Sequence, residues 1–406
     1  MPGAGEDTAP SWTPNLAVAM LSLGAFGSAV SMRVTDPLLP RLAAEFGVAV
    51  GDAATAVITA FALAYGVAQL LFGPVGDRFG KFRVIAWGCA ASATTAALCG
   101  LAPTLSGLLA ARLLAGATAA SIIPLAMAWI GDVVPYEQRQ PVLARFLVGQ
   151  VLGIASGVLL GGFAADHLSW RVPFFLIATV FAAVSVVLFA TDRRLPAHAR
   201  RTMVAGGSAI GRTLREFGAV LRVPWARRIV AVVFLEGAFL YGVFAFIATH
   251  LHERHGVSLS AAGATVMVFG AGGLVYALAA AAFVRRFGEV GLTATGAVLI
   301  AVSLLAIAFA PSAGWAVPAC FVCGLGFYML HNTLQTNATQ MAPERRGAAV
   351  SAFAACFFLG QAGGVAIGGL GVGRFGTTPV IAAGAAGVLV VGLVFSRLRA
   401  GRSAAG

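Results

Sequence analysis

The chain has 406 residues, of which 59% are hydrophobic and 10% charged, with a net charge of +12. A soluble globular protein carries about a quarter of its residues as charged side chains, so this composition excludes one. The positive balance is no footprint of a nucleic-acid partner, because the basic residues gather in short polar breaks between long apolar runs. Residues 1–14 carry Glu6 and Asp7 and no basic residue. A cleaved signal peptide has a basic start, so the first apolar run is expected to stay as a spanning helix. Runs of about 20 residues, enough to cross a ~30 Å hydrocarbon core, are expected at 15–36, 52–72, 82–101, 105–129, 142–163 and 172–190. Segment 191–228 is polar and rich in arginine and reads as a linker. A short surface helix is expected within it at 211–221, with a basic, amphipathic character suited to anionic lipid headgroups. Six more spans follow at 229–251, 260–283, 291–310, 314–337, 348–372 and 378–396, then a basic tail at 397–406. The expectation is an all-α integral membrane protein with twelve spans in two six-helix halves, 15–190 and 229–396. On this topology only Arg41, Arg171, Arg254 and Arg374 of the 27 Lys and Arg fall outside, while Arg33 and Arg112 lie within spans. That asymmetry places the N-terminus, linker and tail in the cytoplasm.

The halves repeat one another. Stretch 73–83, Gly-Pro-Val-Gly-Asp-Arg-Phe-Gly-Lys-Phe-Arg, reads as a basic turn between two spans, and Val-Arg-Arg-Phe-Gly-Glu at 284–289 echoes it. Phe-Leu-Val-Gly-Gln at 146–150 is likewise echoed by Phe-Phe-Leu-Gly-Gln at 357–361. Two halves joined by a linker, with a site between them near the midplane, is a transporter architecture. Arg285 stands where the first copy has Asp77, so only the first copy can make a carboxylate contact. The expected partner is the N-terminal end of the eleventh span near Gly347, where the helix dipole favours an anion.

The pattern Gly73-x-x-x-Asp77-Arg78-x-Gly80-Lys81-x-Arg83 resembles the loop 2–3 signature of the major facilitator superfamily, with Phe82 in place of its second paired basic residue. Asp36-Pro37-Leu38-Leu39-Pro40, together with Arg112-x-x-x-Gly116, is similar to the 12-span drug:proton antiporter and sugar-efflux branch. Gly153-x-x-x-Gly157-Val158-x-x-Gly161-Gly162 resembles that family's antiporter motif, with Val158 where proline is usual. The resemblance implies a proton-coupled exporter of small lipophilic or drug-like molecules in the cell (inner) membrane. It would work by alternating access as a monomer, with no cofactor, driven by the proton gradient. Its partners would be substrate, protons and the bilayer. Sugar or metabolite efflux, symport and facilitated transport share the same motifs. An intramembrane enzyme would need a nucleophile–base pair or metal ligands, and the chain has neither His-Glu-x-x-His nor Gly-x-Ser-x-Gly.

Ionisable groups inside spans are expensive, so each is a candidate for function. Asp36, Arg112 and Glu236 are the expected proton-coupling residues, with Asp36 and Arg112 at similar depths and able to neutralise one another. Arg33 lies three residues before Asp36 on the same helix face. Polar or aromatic side chains expected toward substrate are Tyr65, Gln69, Gln150, Phe239, Tyr241, Tyr328, His331, Asn332, Gln335 and Gln361. Interhelical hydrogen bonding is the plain alternative for the polar ones. His250, His252 and His255 with Glu253 read as a solvated loop rather than a metal site, and Cys320-x-x-Cys323 as small apolar residues on a span.

Overall fold

The computed structural model describes residues 15–200 and 209–405; the expected N-terminal segment 1–14 and linker positions 201–208 lie outside the described residues. Among the described residues, eleven continuous helices are long and apolar enough to cross a membrane. One of them, Leu259–Phe309, is two helices merged across Gly288, which sits at φ 59° and ψ 178°. The twelve spanning helices are α1 (Asn15–Arg33), α2 (Val50–Phe79), α3 (Lys81–Leu101), α4 (Leu105–Val133), α5 (Tyr136–His167) and α6 (Val172–Asp192). They continue with α7 (Pro224–His255), α8 (259–287), α9 (289–309), α10 (Ala316–Gln340), α11 (Arg346–Phe375) and α12 (Thr377–Ala405). Helices close every backbone hydrogen bond within themselves, which is what a hydrocarbon solvent demands. One end of the bundle, the linker end, holds the start of α1, the end of α12 and the linker helix Ala209–Arg222.

Three departures from the sequence reading have local causes. The first span ends at Arg33 rather than at 36, and turns at 34–38 lead into the short helix Leu39–Phe46. Pro37 has no N–H and turns Asp36 away from helical backbone, whereas Pro40 fits the first turn of the short helix. The second and seventh spans contain π-helical turns, Thr55–Thr59 and Gly237–Tyr241, each widening its helix beside the candidate site. Stretch 73–83 is no loop. Helix α2 runs through Pro74 to Phe79, α3 starts at Lys81, and the chain reverses at Gly80 alone.

Gly80 does so at φ 89°, and Gly288 breaks α8 from α9 at φ 59°, the same place in the repeat. A side chain at either position would be strained by ~1–3 kcal/mol. Gly80→Ala and Gly288→Ala should therefore each lower the Tm of the purified protein. Gly73→Ala should not, since a Cβ at Gly73 meets nothing within 4 Å. Equal Tm values for Gly80→Ala and Gly73→Ala would rule out the backbone explanation.

The repeat carries its charges with reversed sign. Next to Gly80, Lys81 Nζ bridges Asp132 of α4 at 2.6 Å and Asp77 at 3.2 Å. Next to Gly288, Glu289 accepts from Arg399 of α12 at 2.6 Å and from Asn337 of α10 at 3.1 Å. Arg83 meets Asp192 at 3.2 Å, and Arg345, just before α11, pairs with Glu216 of the linker helix. Each of these contacts ties the linker end of its own half, or the linker to that half. Arg78 is exposed at the rim, its guanidinium 5.2 Å from the Phe79 ring centroid.

Burial divides the interior into two apolar clusters. One is drawn almost wholly from α1–α6 and the other from α7–α12. Glycines set how closely the helices approach. Gly149, Gly153, Gly157 and Gly161 repeat every four residues along α5, and a Cβ at each would run into the carbonyl of Ser22, Phe26, Val30 or Val34 on α1. This is small-residue packing of the kind that brings spanning helices together without a hydrophobic driving force. Between the halves, Gly51 of α2 lies against Gly369 of α11, and Gly162 of α5 against Leu259 of α8. Both of these contacts are at the end of the bundle opposite the linker.

Candidate functional site

The end of α1 delivers its charges to the centre of the bundle. Arg33 is its last residue, and its Nη1 donates to Asp36 Oδ2 at 3.3 Å with both side chains almost fully buried. The Arg33 guanidinium lies over the Tyr241 ring, 3.9 Å from the centroid, and 5.4 Å from that of Phe244. Both rings belong to α7, so a cation of one half rests on aromatic faces of the other, an attraction strengthened where water is excluded.

Arg112 does not neutralise Asp36 directly, contrary to expectation. Its Nε donates to the Val57 carbonyl of the π-helical turn in α2 at 2.8 Å and its Nη1 to the Ser31 carbonyl of α1 at 3.0 Å. Its guanidinium also lies 4.2 Å from the Phe61 ring centroid. Arg33, on the same chain segment as Asp36, takes the carboxylate first. Arg112 is held instead by helix carbonyls and clamps α1 and α2 to α4.

The second buried carboxylate is in the other half. Glu236 is fully buried on α7, immediately before the π-helical turn Gly237–Tyr241. Its Oε2 lies 2.9 Å from His331 Nδ1 on α10. The His331 ring is surrounded by Phe327, Phe357 and Phe353, with centroids at 4.8, 4.9 and 5.4 Å. Its side chain keeps 15% exposure, against 0% for Glu236, so water reaches the pair from the histidine side.

Other expected residues separate into those that face the junction of the halves and those that do not. Tyr65 of α2 meets Phe358 of α11 with ring centroids 4.4 Å apart. Tyr328 packs edge-on to Phe327 at 5.1 Å. Gln69 Oε1, both amide atoms of Gln361, Asp36 Oδ1, Glu236 Oε1, Arg33 Nε and Arg112 Nη2 are buried and find no hydrogen-bond partner among the described residues. Buried polar atoms are nearly always paired, so this concentration of them near the junction of the halves sets the region apart. Gln150 and Gln335 are half-buried. Phe239 is a correction: it turns toward α12, where a Cβ at Gly387 would fall on its ring. Asn332 is another, since its side chain hydrogen-bonds Tyr276 on α8. Asp77 is a third. It pairs with Lys81, and a Cβ at Gly347 meets nothing within 4 Å, so the expected contact with the start of α11 is not made here.

His250 is buried rather than solvated, with Nδ1 2.8 Å from Thr377 Oγ1 and Nε2 3.1 Å from the Ile307 carbonyl. It pins α7 to α9 and α12. Sequence reasoning missed Asp166, whose carboxylate meets the first turn of α8. The available signal was its place just after the glycine motif of α5, opposite the Ser-Leu-Ser that opens α8. Glu289 was missed because its partners are distant in sequence.

The model of the Major Facilitator Superfamily matches residues 21–365. An uncharacterized MFS-type transporter of Bacillus subtilis, YceJ, is 27% identical over 339 residues, covering 82% of this chain and 83% of that one. The multidrug export protein EmrB of Escherichia coli is 27% identical over 191 residues, 47% of this chain and 37% of that one. Among solved structures, a point mutant of the nucleoside transporter NupG superposes with a TM-score of 0.77 at 16% identity, covering 94% of this chain and 99% of that one. A bacterial homolog of the human lysosomal transporter Spinster gives 0.71 at 19% identity, covering 97% and 96%. These two likenesses bear on the fold alone.

The chain is a multi-pass membrane transporter with the twelve-helix fold of its class. It belongs to the major facilitator superfamily and is not an enzyme.

Proposed function

We propose that this transporter exports small, lipophilic molecules across the cell membrane in exchange for protons. The observation that carries the reading is the pair of buried carboxylate centres on the facing helices α1 and α7: Asp36 with Arg33, and Glu236 with His331. Both are bordered by aromatic rings, which give a lipophilic substrate apolar surface and a cation a π-face. The EmrB likeness, partial in coverage, points the same way.

The arginine-rich linker end faces the cytoplasm in this reading, by the same charge asymmetry seen in the sequence. Opening of the opposite end admits water and protons to the site. A proton reaching the Glu236–His331 pair removes or adds a charge in a buried place, and the two states of the protein differ in how well they solvate it. That differential is what lets a proton gradient bias a conformational equilibrium. A substrate held against the same rings competes with the protonated form, so release of one accompanies uptake of the other.

Purified protein in liposomes, with and without an imposed pH gradient, tests this directly. Lipophilic dyes should accumulate against their gradient only when protons run the opposite way, whereas labelled sugars should not respond. Equal dye movement with and without the gradient would overturn proton exchange. Gradient-driven movement of sugars alone would overturn the substrate class.

A further inference from the structure

At the end of the bundle opposite the linker, Asp166 reaches from one half into the other. It is the penultimate residue of α5, and its two carboxylate oxygens accept from the first two backbone N–H groups of α8. Oδ1 takes Leu259 N at 3.3 Å and Oδ2 takes Ser260 N at 2.6 Å. Ser258 caps the next donor, Ala261 N, at 3.1 Å. Ser260 Oγ returns a bond to the Gly162 carbonyl of α5 at 3.3 Å. The opening N–H groups of a helix have no partner inside it and carry its positive dipole end, so a carboxylate there satisfies donors and charge together. The reach depends on bare backbone on both sides, since a Cβ at Gly162 would strike the Leu259 carbonyl and one at Gly263 would lie 2.7 Å from the Val158 carbonyl.

The same arrangement exists, disengaged, at the linker end. Asp77 stands two residues before the end of α2, as Asp166 stands near the end of α5. Helix α11 begins opposite α2 as α8 begins opposite α5, the pairs running in opposite senses across the bilayer. In this state Asp77 is held by Lys81 at 3.2 Å, and the space at Gly347, in the first turn of α11, is open. One carboxylate therefore caps a helix of the other half while its counterpart does not.

We infer that Asp77 and Asp166 are reciprocal latches, each capping the first turn of a helix from the opposite half in one of the two alternating states. Asp166 holds the outer face shut, and Asp77 holds the inner face shut when the outer face opens. The inference rests on the alternating-access reading but not on the substrate or on proton coupling.

The test reads the state directly, with neither substrate nor gradient present. Val158 is buried on α5 among residues of the second half, beside the latch. Val158→Cys, in a protein whose half-buried Cys356 is replaced by serine, should react with a membrane-impermeant maleimide added to right-side-out vesicles only when the outer face opens. Adding Asp166→Ala should raise the labelling rate about five-fold, the effect of losing one N-cap side chain. Asp166→Asn, which keeps an acceptor oxygen, and Ser260→Ala should raise it less. Asp77→Ala should lower it, because it weakens the opposing state. An unchanged rate in Asp166→Ala, or a rise in Asp77→Ala, would sink the inference. Inverted vesicles report orientation separately, so an error of topology shows itself as labelling from the other side.

Discussion

Glu236→Gln should abolish pH-driven accumulation, by ten-fold or more, while leaving substrate exchange without a gradient largely intact. Gln is nearly isosteric with Glu and can still bond His331 Nδ1, so the packing around the pair should survive. What it cannot do is bind and release a proton. The choice of Glu236 follows from access and partnership. Its Oε1 has no partner among the described residues, and its Oε2 contacts a histidine that keeps some exposure. Asp36 is instead held by an arginine that is itself stacked on Tyr241. The measurement is substrate-induced proton release from purified protein, followed by transport in vesicles. Release retained in Glu236→Gln but lost in Asp36→Asn would move coupling to the first half. His331→Gln supplies a control, since it should alter the pH dependence of release rather than eliminate transport.

Arg112→Ala should have the largest effect on the fold. The guanidinium is fully buried and bonds carbonyls on two other helices at 2.8 and 3.0 Å. Hydrogen bonds to a charged group contribute about 1.5–3 kcal/mol each, and buried carbonyls left without a donor add to the loss. A fall of roughly 3–5 kcal/mol is expected, read as a drop in Tm and in the amount of protein reaching the membrane. Arg112→Lys should recover little of it, because one ammonium group cannot reproduce a planar fork spanning two helices. Direct pairing between Asp36 and Arg112 would make Asp36→Asn a rescuing change. With Asp36 bonded to Arg33, the double variant should be no more stable than Arg112→Ala, since it leaves Arg33 without its counter-ion. A clear rescue would show that Asp36 and Arg112 interact more strongly than their hydrogen bonds suggest.

The approximate positions of the twelve spans, the linker between the halves and the repeat of a glycine turn were legible in the chain. Each follows from which residues hydrocarbon accepts and where only glycine permits a reversal, and these are properties of a position and its neighbours along the sequence. Even the merged helix 259–309 supports this, because Gly288 breaks it where the repeat of Gly80 said it should. The extent of the first turn was misread for a related reason. Hydropathy registers the charges of 73–83, but a helix extends into water as readily as a loop does, and α2 does so.

Only the packed structure decided who meets whom. Glu236 and His331 are 95 residues apart, and Asp166 and Ser260 are 94 apart. Whether such residues touch depends on the rotation of each helix about its axis. That rotation is set here by glycine rows such as 149, 153, 157 and 161 pressing on neighbouring carbonyls. The same rotation turns Phe239 toward α12 and Asn332 toward α8, although both lie on helices that also supply site residues. It also places Arg33 over Tyr241, and with it the cation of one half against the aromatic wall of the other. Composition and spacing select the residues a membrane interior will tolerate; the angle at which each helix meets the next determines which of them share a site.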